Sequence, residues 1–180
     1  MDILILNSIL PQDPYYYLAD IAQEFYRNSS TIHVYEKKIY DCVSCSACAV
    51  KTPGICVFKD DMTEILTDIV NSDYLIFLTK ISFGSYDSRL KKVIDRFLPL
   101  MVPKYVLRKG EMHHKNRYKM PYFIGIGATD SNNRFQTEIF HRLVQRNALN
   151  ANFSGFQSFV IQDREVSKAK ILFEKLGAVL

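Results

Sequence analysis

All four cysteines of the chain lie in one short stretch, DCVSCSACAVKTPGICVFKDDM, which covers residues 41–62. Cys42, Cys45 and Cys48 follow one another with two residues between them, and Cys56 comes after a longer interval that contains a Pro-Gly pair. Thiolates at these spacings could ligate a [4Fe–4S] cluster, with the Pro-Gly turn bringing back the fourth ligand. Zinc ligation, and buried thiols that act as small apolar groups, are the alternatives.

The composition is typical of a globular protein. The chain has 180 residues, of which 48% are hydrophobic and 23% charged, so we expect one domain over residues 1–180. No apolar run is long enough to cross a bilayer, and the N-terminal MDILILNS lacks the basic region of a signal peptide. We therefore expect a cytoplasmic protein without membrane contacts. In that reducing compartment, clustered cysteines are more often metal-binding or redox-active than disulfide-bonded.

Strand-like and helix-like periods alternate along the whole chain. Strands are predicted at DILILN (2–7), TIHVYE (31–36), YLIFLT (74–79), PYFIGIGA (121–128) and FQSFVIQ (156–162). Helical periods follow them over residues 15–27, 62–70, 90–101, 135–149 and 164–176. Five strands that are each followed by a helix predict right-handed crossovers and a parallel sheet with helices on both faces.

The apolar content of the strands predicts their order in the sheet. The first and third strands are the most continuous apolar runs and should be central, whereas TIHVYE alternates as an edge strand does. This pattern fits an α/β, doubly wound, flavodoxin-like fold with a five-stranded parallel sheet in the order 2-1-3-4-5.

Ligands of such sheets bind beyond the carboxyl ends of the strands, at the switch point, which here lies between the first and third strands. The loops at 7–13, 79–87 and 128–133 reach that edge. The cysteine stretch follows the second strand, so we expect its thiols on the same rim.

Two of these loops have the chemistry to hold a planar ring. TKISFGSYD (79–87) offers backbone amides, a close-approach glycine at Gly84, and flat side chains at Phe83 and Tyr86. The alternative is an ordinary strand-to-helix loop capped by Ser85 or Asp87. The segment ATDSNN could bond to a ring edge, or could begin a helix capped by Asp130 or Ser131.

The net charge of +4 belongs to residues 102–120. This segment holds Glu111 against six basic residues, Lys104, Arg108, Lys109, Lys115, Arg117 and Lys119. It is either a solvated loop or a surface for phosphate groups or an acidic partner. No groove pattern of aromatic and basic residues accompanies it, so we expect no nucleic-acid binding; the segment should pack on a second subunit or cover the crevice. His113 and His114 are expected at a surface or interface.

Three quoted segments resemble the flavodoxin-like NAD(P)H-dependent FMN reductases, including their iron–sulfur flavoprotein branch. CVSCSACAVKTPGICVFKDDM resembles the cysteine block and the acidic pair after it. LIFLTKISFGSYDSRLKKVIDRF resembles the flavin-ring loop and the next helix, and PKYVLRKGEMHHKNRYKMP resembles a connector with a Gly-Glu-x-His-His-x-x-Arg-Tyr signature.

The resemblance implies FMN as cofactor, electron transfer with a reduced nicotinamide, NAD(P)H, or a protein as donor, and assembly into homodimers or homotetramers. It places the flavin ring against two loops, at Thr79, Lys80, Ile81, Ser82, Phe83, Gly84, Ser85, Tyr86, Ala128, Thr129 and Asp130. It places the phosphate near Asn7 and Ser8, and it assigns Cys42, Cys45, Cys48 and Cys56 to a cluster.

The loop after the first strand departs from that family. A loop rich in Ser, Thr, Asn and Gly usually wraps the phosphate, whereas this chain has NSILPQDPYYY. Pro11 and Pro14 lack N–H groups, and Asp13 would repel a phosphate. The ring half of the flavin site is therefore expected to be intact and the phosphate half weak.

The leading hypothesis is an enzyme, an FMN-dependent oxidoreductase and electron-transfer flavoprotein, either with or without a [4Fe–4S] cluster. The flavin carries the chemistry in such an enzyme, so no catalytic side chain is assigned. The alternative is a non-enzymatic flavodoxin-like module with a degenerate phosphate loop and structural cysteines.

Overall fold

A parallel five-stranded sheet forms the centre of the molecule in the computed structural model, which describes residues 1–26, 29–108, 110–162 and 166–177. Its strands are β1 (Ile3–Asn7), β2 (Ser29–His33), β3 (Tyr74–Lys80), β6 (Tyr122–Ala128) and β7 (Gly155–Ile161). They lie in the order β2-β1-β3-β6-β7, and every neighbouring pair is parallel. The predicted flavodoxin-like order and the edge position of the second strand are thus confirmed.

Helices cover both faces of the sheet. They are α1 (Tyr17–Phe25), α3 (Met62–Asn71), α4 (Ser88–Asp95), α5 (Arg134–Asn150) and α6 (Val166–Gly177), while the short helix α2 (Ala47–Val50) lies within the cysteine segment. Side chains of β1 alternate between two apolar clusters, as the pleat of a strand requires. Leu4 and Leu6 pack with α3, α4 and α5, whereas Ile3 and Ile5 pack with α1 and α6. No helix in the described part of the chain is long and apolar enough to span a bilayer.

The segment predicted as a connector forms an antiparallel hairpin of β4 (Met101–Arg108) and β5 (Glu111–Asn116). Lys109, one of its basic residues, lies outside the described residues. Asn116 donates to the backbone of Ala151 at 2.8 Å, and Glu111 binds Arg146 on α5. The C-terminal end of α5 and the start of β7 lie at the amino edge of the sheet, so the hairpin does not cover the crevice at the carboxyl edge.

Several helix boundaries differ from the prediction. The helix predicted over 90–101 ends at Asp95, and a 3₁₀ turn follows at Leu98–Leu100, because Pro99 cannot continue the α-helical hydrogen bonds. Asp87 caps α4 as expected, but Asn133 rather than Asp130 or Ser131 caps α5. Arg27 and Arg164, predicted helix termini, lie outside the described residues.

Candidate functional site

The loop after β3 ends in a tight turn that presents an aromatic ring to solvent. Ser82 and Ser85 exchange two backbone hydrogen bonds, at 3.0 and 2.8 Å. The two residues between them have left-handed backbones, Phe83 with φ 50° and Gly84 with φ 77°. Phe83 is 91% exposed. A bulky residue with positive φ is unusual and costs free energy, so a turn that holds Phe83 outward marks a candidate contact with a ligand.

The base of this turn is fixed by the core. Tyr86 is buried and packs edge-on against Phe77 and Phe140, and its hydroxyl accepts from Asn147 at 3.2 Å. Burial raises the pKa of Tyr86, which the bond from Asn147 only partly offsets. Its ring, expected beside the flavin, is therefore a core side chain.

Thr79 joins the loop after β1 to the loop after β3. Its buried hydroxyl accepts from the backbone N–H of Asp87 at 2.9 Å and from the hydroxyl of Ser8 at 3.1 Å. The backbone N–H of Ser8 donates to Leu78 O at 2.9 Å. The backbone N–H of Ile81 donates to Ala128 O at 2.8 Å, which brings in the loop after β6.

The loop after β1 is tied to both of its neighbours. Lys80 and Asp13 form an ion pair at 2.9 Å. The hydroxyl of Tyr15, which is fully buried, donates to the carbonyl of Thr129 at 2.7 Å and lies 3.2 Å from a carboxylate oxygen of Asp130. The residues predicted around the flavin are therefore brought to one rim, apart from the ring of Tyr86. Tyr15 is the rim residue that the sequence did not indicate.

The two halves of this rim suit FMN to different degrees. At the ring end, an exposed aromatic side chain stands beside the amides of Phe83 and Gly84, which lie outside the two hydrogen bonds of the turn. At the phosphate end, Ser8 and Asn7 are buried and already bonded within the protein. The residues present fit an isoalloxazine ring, but they do not form a phosphate cradle.

The other three thiols lie near Cys48, and none of the four lies on this rim. Cys42 and Cys45 are exposed, Cys56 is partly buried, and Cys48 is buried at the start of α2. Burial, and then the neighbouring thiols of Cys56, Cys45 and Cys42, raise the pKa of Cys48. In the described part of the chain, no three His, Cys, Asp or Glu side chains are placed to hold a metal ion. The thiols are near one another, but they are not a preformed ligand set.

Arg96, at the C-terminal end of α4, fixes the cysteine segment. Its guanidinium donates to both carboxylate oxygens of Asp60, one of them at 3.1 Å, and to the carbonyl of Tyr40 at 3.0 Å. Burial would lower the pKa of Arg96, but Asp60 and the neighbouring Cys56 thiol raise it. The side chains of Arg96 and Asp60 are 1% and 0% exposed.

The contact between Arg96 and Asp60 explains why the cysteines do not lie at the rim, where we expected them. α4 begins at the carboxyl edge and runs back to the amino edge, and Arg96 is at its far end. The connection between β2 and α3 is long enough to extend along α4, so it need not stay at the carboxyl end of β2. The sequence shows the pairs Asp60-Asp61 and Asp95-Arg96, but nothing in it indicates that Asp60 and Arg96 are in contact.

The two histidines are also distant from the rim. His113, on β5 of the hairpin, is buried, with its Nε2 at 3.4 Å from Glu111, and His114 contacts the carbonyl of Val102 at 3.1 Å. Neither is placed to act on a ligand at the carboxyl edge.

Comparison with curated proteins finds partial matches to iron–sulfur flavoproteins. No protein-family model matches the chain. An iron-sulfur flavoprotein of Archaeoglobus fulgidus is 35% identical over 68 residues, which are 38% of this chain and 30% of the relative. One from Methanocaldococcus jannaschii is 32% identical over 71 residues, 39% of this chain and 36% of the relative. The chain thus matches about a third of the length of these relatives.

Comparison with solved structures extends over nearly the whole chain. The NAD(P)H:quinone oxidoreductase from Methanothermobacter marburgensis has a TM-score of 0.72 at 14% identity, covering 98% of this chain and 96% of that one. An FMN-dependent NADH-azoreductase from Bacillus anthracis, in complex with FMN, has a TM-score of 0.68 at 14% identity, covering 99% of both chains. At these identities the likeness establishes the fold. Together the two comparisons confirm the resemblance to the flavodoxin-like NAD(P)H-dependent FMN reductases.

Proposed function

We propose that the chain is a flavin-dependent oxidoreductase that binds the ring of FMN at the carboxyl edge of its sheet. The observation that carries the proposal is the exposed Phe83 on a left-handed turn, next to the switch point between β1 and β3. Support comes from relatives named iron-sulfur flavoproteins, and from a similar structure that contains FMN. The donor would be NAD(P)H or a reduced protein.

Bound FMN would supply the redox chemistry through its isoalloxazine ring. The residues of this chain would bind and orient that ring. Phe83 would contact its face, and the amides of Phe83 and Gly84 would donate to its polar edge. Thr79, which holds the turn against Ser8, would keep the geometry fixed. The other residues from Lys80 to Ser85, together with Ala128, Thr129 and Asp130, complete the proposed contacts.

A flavin titration tests this function. Adding the protein to FMN at micromolar concentration should quench the flavin fluorescence, and Phe83→Ala should weaken the quenching. Ile171→Ala, which shortens another exposed apolar side chain, on α6, is the matched control. Absence of quenching at any practical concentration would favour the non-enzymatic module.

We further propose that Cys42, Cys45, Cys48 and Cys56 ligate a [4Fe–4S] cluster after a local rearrangement. Ser44 and Ser46, on either side of Cys45, have left-handed backbones with φ 52° and 56°. Strain of this kind is common at functional sites. Relatives named iron-sulfur flavoproteins add support.

Iron and sulfide analysis after anaerobic reconstitution tests the cluster. About four of each per chain, lost in Cys56→Ser, is the result that a [4Fe–4S] site requires. One zinc per chain without sulfide would support the zinc alternative. Four titratable thiols without metal would contradict both.

The hairpin is proposed to join copies of this chain into a homodimer or homotetramer. One of its faces exposes Tyr105, Leu107 and Met112. Light scattering should show an oligomer that Leu107→Lys dissociates, with Lys104→Ala as a control on the same strand. A strongly salt-dependent affinity for DNA or RNA would instead identify the basic segment as a nucleic-acid surface.

A further inference from the structure

We infer that this crevice recognises flavin by its ring alone, so that riboflavin and FMN bind with nearly equal affinity and the phosphate of FMN stays in solvent. The inference rests on the proposed function. It concerns the loop of residues 8–16, which follows β1 at the end of the rim where the phosphate was expected.

The backbone donors of this loop are largely used within the protein. An anion site at a loop of this kind needs N–H groups that point outward together. Here Pro11 and Pro14 have none. Of the other seven backbone N–H groups of residues 8–16, five donate within the protein: Ser8 N to Leu78 O at 2.9 Å, Ile9 N to Asn7 Oδ1 at 3.0 Å, Asp13 N to Leu10 O at 2.9 Å, Tyr15 N to Asp13 Oδ1 at 3.0 Å, and Tyr16 N to Asp13 O at 3.0 Å.

The side chains that could replace those donors are also bonded within the protein. The hydroxyl of Ser8 donates toward Leu78 O and Thr79, at 3.4 and 3.1 Å. The amide nitrogen of Asn7 donates to Ile9 O at 3.3 Å and contacts Nδ1 of His33 at 3.2 Å. Both residues are 2% exposed or less. A phosphate would have to displace these bonds to reach either of them.

Apolar and aromatic groups fill the interior of the loop. Ile9 is 2% exposed and Tyr15 is 0% exposed. The bond from the Tyr15 hydroxyl to Thr129 spans from this loop to the loop after β6. The space that a phosphate-binding loop would enclose is therefore occupied by the protein's own side chains.

The charges of the loop oppose a dianion. Asp13 and Asp130 place two carboxylates around Tyr15. Lys80, a cation of this region, lies 2.9 Å from Asp13, so its charge is largely balanced. A phosphate near Lys80 would have to compete with a carboxylate that is already in place and only partly exposed. Charge therefore gives FMN no advantage over riboflavin.

Fluorescence titrations of the wild-type protein with riboflavin, FMN and lumiflavin test the inference directly. We expect Kd values for riboflavin and FMN within about threefold of each other, because a bound phosphate would add charge-assisted hydrogen bonds worth at least tenfold. Phe83→Ala should weaken both by the same factor. FMN bound more than about tenfold tighter than riboflavin would overturn the inference and leave the proposed function standing. Quenching of none of the three would overturn the proposed function itself.

A substitution in the loop gives a second, independent test. Asp13→Asn removes the carboxylate that balances Lys80, so it should create a preference for FMN of about fivefold to tenfold and leave the riboflavin affinity unchanged. Asp20→Asn, which removes the same charge from an exposed position on α1, should preserve equal affinities. A preference for FMN already present in the wild type and unaltered by Asp13→Asn would contradict the charge argument.

Discussion

Replacing Arg96 by methionine should destabilise the protein strongly, although its hydrogen-bond partners, Tyr40 and Asp60, belong to the cysteine segment and not to the flavin rim. Its guanidinium and the carboxylate of Asp60 are both buried, and they are bonded to each other. Methionine keeps most of the length and the apolar contacts of the side chain. The substitution therefore leaves Asp60 charged and buried without its main partner.

The expected loss of stability depends on which hydrogen bonds Asp60 keeps after the substitution. Breaking a buried ion pair by removing one partner costs about 3–5 kcal/mol. Asp60 would still accept from the backbone N–H groups of Tyr40, at 2.9 Å, and Met62, at 3.2 Å. These bonds offset part of the loss, so we expect about 3 kcal/mol for Arg96→Met. Asp60→Ala removes all three partners at once and should cost more, about 4–5 kcal/mol.

Urea denaturation followed by circular dichroism measures this effect. With a denaturant slope of about 2–3 kcal/mol per M for a chain of this size, 3 kcal/mol lowers the midpoint by about 1–1.5 M. Lys92→Met is the matched control, because Lys92 joins the same helix to the same segment through an exposed pair with Asp41 at 3.3 Å. That pair should contribute under 1 kcal/mol. Equal effects of Arg96→Met and Lys92→Met would refute the reasoning.

Three further outcomes are expected. Phe83→Ala should weaken flavin binding about tenfold, as loss of an aromatic contact does, and leave the urea midpoint unchanged; a lowered midpoint would show that the exposed ring has a structural role. Gly84→Ala and Gly110→Ala both place a methyl group on a left-handed backbone, at about 1–2 kcal/mol. A Cβ at Gly84 would also come within 2.6 Å of a side chain on α5, whereas at Gly110 it meets nothing within 4 Å, so Gly84→Ala should be the more destabilising in thermal melts. Burial alone would raise the pKa of Asp60, but bonds from Arg96 and the backbone lower it. The stability that the lowered pKa gives is present above about pH 4 and is lost below it. The difference in unfolding free energy between wild type and Asp60→Asn should therefore narrow as acid is added. A gap that stayed constant with pH would contradict this assignment.

The sheet could be predicted from the sequence because its central strands are continuous apolar runs. β1 and β3 are buried on both faces, and such strands have a composition that few other elements share. Their central position, together with the right-handed crossover rule, leaves few orders for the other strands. The hairpin was missed for the opposite reason. Lys104, Arg108 and Lys115 give β4 and β5 a polar composition, and each strand is stabilised by its partner more than by a core.

The site was predicted in its location more than in its details. Loops at the carboxyl ends of adjacent parallel strands must meet, which brings Ser8, Thr79 and Thr129 together. Whether an aromatic side chain in such a loop faces the ligand or the core depends on tertiary packing, so Phe83 and Tyr86 could not be told apart. The bond from Tyr15 to Thr129 joins residues far apart in the chain and has no local signal.

The two ends of the cysteine segment are hydrogen-bonded to each other, so the length of the segment has little effect on the stability of the rest of the fold. Lys38 and Asp61 bond to each other twice, at 2.8 and 3.1 Å, and Asp60 accepts from the backbone N–H of Tyr40. The segment between these residues therefore begins and ends at the same place in the fold. Doubling the length of a flexible loop with fixed ends costs only about 0.6 kcal/mol in closure entropy. Evolution can therefore insert, delete or respace residues around the four thiols while the paired ends of the segment, the sheet and the flavin rim keep their geometry.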